Sequence, residues 1–209
     1  MKKFSLILVI VVLALLWGGG QALYTVIKNP EPLTMTCEEY AKQRPDREWV
    51  KLTDCALVIP EAAFIGHSSI TQVYVPVVPG AVNFYEDNPK VSLVLNSRDE
   101  GLRQTVRKLI DLDKVTDEAK IEEFMVDHYD DLFPRRNIEG TVKFGIELDS
   151  DERKQLSGLS GYLAKNFVIV ADGEAPDLKL ALIMFGAGIA LALLLAWLWL
   201  RPGRHRESA

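Results

Sequence analysis

The sequence predicts an α+β domain, with a mixed, largely antiparallel sheet and two or three amphipathic helices, carried between two transmembrane helices. Three observations predict it. Residues 4–27 and 180–200 contain no Asp, Glu, Lys or Arg and are apolar almost throughout. Between them, stretches that alternate apolar and polar residues, the period of a strand with one wet face, are interleaved with stretches of helical period. Two capping boxes, Thr36 with Glu39 and Ser97 with Glu100, mark helix starts inside that region.

The chain opens with Lys2 and Lys3 ahead of the first apolar run. A cleaved secretory signal would have this basic start, with Gly20 and Ala22 as small residues before a cut. An uncleaved anchor would instead occupy residues 1–27 and end at Lys28, Asn29 and Pro30. The anchor is the preferred reading, because the apolar pattern resumes after Gly18, Gly19 and Gly20. At the other end, residues 178–200 form the second transmembrane helix; its uncharged part would be about 31 Å long, enough to cross a bilayer core. Arg201, Arg204 and Arg206 make residues 201–209 a basic tail, which the positive-inside bias assigns to the cytoplasm. Residues 28–177 are then expected outside it. They hold 18 Lys and Arg against 28 Asp and Glu, a net charge of −10. Such a surface repels phosphate backbones, so the lipid bilayer and another envelope protein are the expected partners and nucleic acid is not.

Within this region, Pro30 and Pro32 read as an extended spacer, and Thr36 caps a helix over residues 37–43 that Pro45 stops. Residues 49–59 read as one or two strands. Val73, Val75 and Val77 alternate in the next, where Pro76 removes a ladder donor and points to a sheet edge. Glu86, Asp87, Asn88 and Pro89 supply turn chemistry, so residues 82–85 are expected to pair with residues 91–95 as a hairpin. Ser97 then caps a helix carrying Leu102, Val106, Leu109 and Ile110 on one face. A second helix, residues 117–132, places Ile121, Phe124, Met125, His128 and Leu132 on one side and ends before Pro134. Residues 141–148 alternate best of all. A short helical stretch capped by Asp149 or Ser150 and a last strand at residues 167–170 precede the turn at Asp172 and Gly173.

Candidate chemistry is sparse. Cys37 and Cys55 are the only cysteines, both in the exported part, and are expected to form a disulfide. His128 with Asp127, Asp130 and Asp131 is the most site-like cluster, but it reads better as an acidic solvated helix face than as a metal site. Gly66-His67-Ser68-Ser69 and Gly158-Leu159-Ser160-Gly161 put serines beside glycines without the strand-to-helix elbow of a nucleophile. No cofactor motif is present. In the apolar runs, Ala14 lies level with Ala190 at about 15 Å from the inner boundary, and Gly18 level with Gly186 at about 21 Å. Small residues four apart let helices approach in lipid, so these four are the expected contact. The function these features predict is a membrane-anchored interaction or assembly protein that performs no catalysis. The alternative is a tethered hydrolase using His67 or His128 with nearby Ser or Asp groups.

Overall fold

The computed structural model describes residues 2–66, 69–112, 118–144, 156, 158–159 and 161–200. Its elements begin with α1 (Lys2–Lys28), β1 (Leu33–Thr36), α2 (Cys37–Gln43), β2 (Trp49–Leu57), a single 3-10 turn (Ile59–Glu61) and β3 (Ala63–Ile65). They continue with β4 (Gln72–Pro79), α3 (Phe84–Asp87), β5 (Val91–Ser97), α4 (Glu100–Leu112), α5 (Glu118–Asp127) and α6 (Tyr129–Leu132). The last are β6 (Arg135–Phe144), β7 (Leu163–Asp172) and α7 (Leu178–Leu200). Residues Glu31–Ala175 form one compact unit, and α1 with α7 form another.

The sheet runs β1-β2-β6-β7-β5-β4-β3, and β2 also pairs with β4. That extra pairing closes a ring. Strands β2, β6, β7, β5 and β4 make a five-stranded Greek-key barrel, antiparallel at every step except the parallel pair β5 and β7, with α4 inserted between β5 and β6. The arrangement is of the OB type, a fold that hosts many unrelated functions. The mixed α+β class holds, while the closure and the parallel pair go beyond the sheet expected from the sequence.

Closure depends on a bend in β2. Its register with β6 shifts between Leu52 and Cys55, where Asp54 takes φ 53. Beyond this bulge Cys55, Ala56 and Leu57 pair with Pro79, Val78 and Val77 of β4. The Gly80 N–H donates to the Asp54 carbonyl at 2.8 Å, fastening the corner. Inside the barrel, Val50, Leu52, Val73, Val75, Leu93, Ile138 and Val170 form the core, which Leu102 and Val106 of α4 extend. The outward residues Tyr74, Val94 and Ile169 are also buried, beneath Leu156 and Leu159. Two-sided burial explains why β4 and β5 read as nearly continuous apolar runs.

Several elements depart from expectation for identifiable reasons. Strand β4 is interior despite Pro76. The Val58 N–H donates to the Pro76 carbonyl at 2.9 Å, and a strand residue's N–H and C=O point to one side. The donor Pro76 lacks therefore faces the gap between the β3 ladder, which ends at Tyr74, and the β2 ladder, which starts at Val77. Residues 84–87 form α3 instead of a hairpin strand, and β5 pairs with β4 and β7. Helix α4 is present, but Asp99 caps it: the Leu102 N–H donates to Asp99 Oδ1 at 2.9 Å. Ser97 instead accepts the Asp99 N–H and donates to Asp172 Oδ2 at 2.7 Å, where Arg136 Nη2 also donates to both Asp172 oxygens at 2.7 Å. The helix expected over residues 117–132 breaks at His128 into α5 and α6. Strand β6 begins at Arg135, upstream of the alternation at 141–148, whose last four residues lie outside those described, as do Asp149 and Ser150. By contrast α2 forms as expected: Thr36 Oγ1 accepts the Glu39 N–H and Glu39 accepts the Thr36 N–H.

In the second unit, α1 runs unbroken through Gly18, Gly19 and Gly20. It and α7 are both long and apolar enough to cross a membrane. Asn29 ends α1 with its backbone and side-chain N–H groups on the Thr25 carbonyl, and Asp177 Oδ1 accepts the Leu180 N–H to start α7. The two helices pack antiparallel, since Gly19 meets Met184 and Phe185 while Leu16 meets Gly188.

Candidate functional site

Short elements around the bent end of β2 build a recess in the domain. The Val78 side chain on β4 and Phe84 on α3 are buried together with Val58 and Val91, and Phe133, Tyr162 and Val82 pack against them. The four-residue helix α3 is held by the Asn83 N–H on Asp87 Oδ2 and by Asn88, whose left-handed φ of 42 lets its N–H reach the Phe84 carbonyl. Burying Phe84 this way turns the next residue, Tyr85, outward. On the opposite wall α6 presents Tyr129 one helical turn before Phe133, their ring centroids 4.9 Å apart.

The result is a groove of about 720 Å³ lined by Phe84, Tyr85, Tyr129, Phe133, Glu86 and Asp130, among others. Tyr85 stands nearly perpendicular to Phe84 (84°) and to Phe133 (83°), so the rings form a corner with walls, not a flat platform. Tyr85 and Tyr129 stay 55% and 58% exposed, unusual for residues placed in an aromatic cluster, which leaves ring surface free for a ligand. The Tyr85 hydroxyl donates to Glu61 Oε1 at 3.3 Å. Partial burial first, then the charge and hydrogen bond of Glu61 and the nearby Tyr162, push the Tyr85 phenol up to about 12. Tyr40, on the buried face of α2, is also pushed up to about 12, by burial, with Arg44 opposing.

A pH dependence follows from these two phenols. Each binds its proton more tightly folded than unfolded, where ionisation is centred on pH 10, so their contribution is complete below pH 10 and lost as pH rises through about 12. The expected result is that urea stability of the full-length protein falls on the alkaline side of pH 10. Replacing both by Phe should flatten that fall, and an unchanged slope in the double variant would refute the assignment.

The residues singled out in the sequence are distributed differently. Cys37 and Cys55 form the disulfide, with Cα atoms 5.4 Å apart. The ring of His128 stacks on Phe124 at 4.2 Å, and its Nδ1 lies 3.1 Å from the Phe124 carbonyl, a bond within its own helical turn. Asp127, Asp130 and Asp131 are exposed, and among the described residues no three His, Cys, Asp or Glu side chains gather as a metal-binding set. His67, Ser68 and Ser160 lie outside the described residues. Of the four small residues of the apolar helices, Ala14, Gly186 and Ala190 are exposed, and a methyl group added at Gly186 meets nothing within 4 Å. A Cβ added at Gly18 would lie 3.5 Å from Met184 Cε, but the close backbone contact is at Gly19, where an added Cβ would lie 2.6 Å from the Phe185 nitrogen. The sequence pattern places Tyr85 in a strand and so does not announce the groove; its one local signal is the four-residue spacing of Tyr129 and Phe133 around α6.

No protein-family model matches the sequence, and comparison with curated proteins and with solved structures found no match.

Proposed function

We propose that residues 31–175 are a non-catalytic protein-binding module of the cell envelope, held on the extracytoplasmic side by α1 and α7, and that the aromatic groove receives its partner. The observation that carries this reading is the groove, where two tyrosines keep more than half their surface open beside a buried aromatic base. Tyrosine-rich concave surfaces supply large contact area with little loss of side-chain freedom, which is what binding sites use. The supporting features concern location. Leu6, Ile10, Leu13 and Trp17 on α1 and Leu182, Ile183 and Leu193 on α7 are outward-facing apolar side chains that a bilayer would cover. Basic residues flank both helices on one side, Lys2 and Lys3 with Arg201, Arg204 and Arg206. The disulfide fits an oxidising compartment.

The test is photocrosslinking in growing cells from a benzoylphenylalanine placed at Tyr129, compared with the same group at Arg107, an exposed residue of α4. One discrete protein adduct from position 129, absent from position 107, is expected. No adduct at 129, or equal labelling at both, would overturn the reading.

A further inference from the structure

Resting on that reading, we infer that the partner inserts an arginine side chain of an otherwise aliphatic segment into the groove. Charge selects the sign of the occupant. Glu61, Glu86 and Asp130 surround the aromatic walls, and Asp54 lies at the Gly80 end, where an added Cβ would be 2.4 Å from its Oδ1. Among the described residues, Arg135 is the one basic residue in the lining. Among the described residues, Glu61, Glu86 and Asp130 form no ion pair, so their charge is left for an incoming cation. The −10 balance of the surrounding region adds long-range attraction of the same sign.

Shape selects arginine among cations. A planar guanidinium can lie against the face of a tyrosine while its edge donates to two carboxylates at once, whereas an ammonium is a hydrated point charge. Perpendicular rings at Tyr85 give a face for stacking and a wall beside it, and Glu61, held by the Tyr85 hydroxyl, stands at that ring's edge. A sugar ligand would want an open coplanar face, which the corner does not offer. The apolar residues of the floor, Val58, Val78 and Val82, suit aliphatic flanking residues.

The experiment uses the full chain in nanodiscs of zwitterionic lipid and two capped pentapeptides, one carrying two arginines between leucines, the other carrying citrulline, the uncharged isostere, in their place. Calorimetric titration should show the arginine peptide binding about tenfold more tightly. The three changes Glu61→Gln, Glu86→Gln and Asp130→Asn together should bring the two peptides within about twofold of each other. Tyr129→Ala should weaken both peptides. Equal affinity of the two peptides for the unaltered protein, no binding of either, or an arginine preference that survives the triple variant would each overturn the inference. In those cases a Tyr129 crosslink in cells would still uphold the groove as a docking site, and its absence would remove that reading too.

Discussion

Gly140→Ala should destabilise the barrel by about 3 kcal/mol. Gly140 lies on β6 between Ile138 and Val142, whose side chains enter the core, and opposite Asp172 on β7. A Cβ at this position would sit 2.0 Å from the Ala171 carbonyl oxygen and 2.8 Å from its carbon. Those atoms belong to the backbone of a paired strand and cannot rotate aside, so β6 and β7 must separate locally. The loss spreads from there to the Arg136 and Ser97 bonds on Asp172, the next residue along β7. Urea unfolding of the full-length protein in detergent, followed by circular dichroism, measures it. Gly161→Ala is the control: an added methyl meets nothing within 4 Å there, and a change within about 0.5 kcal/mol is expected. Equal stability of the two variants would show that β6 and β7 are not so closely packed.

Removing the disulfide is the second large effect. Cys37 opens α2 and Cys55 follows the bulge of β2, both nearly inaccessible and 18 positions apart in sequence. Loop closure of that size corresponds to about 3 kcal/mol, or roughly a 10 °C lower Tm for a domain of this size. Alanine is the suitable replacement, since serine would bury two hydroxyls needing partners. The double alanine variant and the reduced protein should melt at the same lower temperature, and reductant should leave the variant unchanged. A parent protein indifferent to reductant, with two thiols open to labelling when denatured, would sink the prediction.

What could be read from the sequence was mostly local. The capping box at Thr36 and Glu39 formed because both partners lie within one helical turn. The amphipathic face of α4 was equally plain, although the cap moved to Asp99 once Ser97 found Asp172, a residue 75 positions away. Barrel closure was invisible for the opposite reason: it turns on Asp54 adopting a left-handed φ without the glycine that usually announces one. The break at His128 likewise has no proline or glycine to mark it. In the pair of long apolar helices, height along the axis could be counted but facing could not. One residue separates Gly18 from Gly19, about 1.5 Å in height but about 100° around the helix, and that rotation decides which glycine meets the neighbour. The groove unites residues from the 50s, 80s and 130s, so its composition could be seen only after the chain had folded.

The central position of β7 has a consequence for how the domain is made. This strand lies between β5 and β6, yet it is the last of the seven to be synthesised, ending at Asp172 only a few residues before α7. Until it arrives, β5 and β6 each present an open row of backbone donors and acceptors, and the barrel has a slot instead of a wall. Pairing across such long chain separations is slow, on the order of milliseconds to seconds. A nascent chain therefore spends its vulnerable interval with most of its core residues present and nowhere to close them, and a holdase that shields strand edges is the kind of helper it needs.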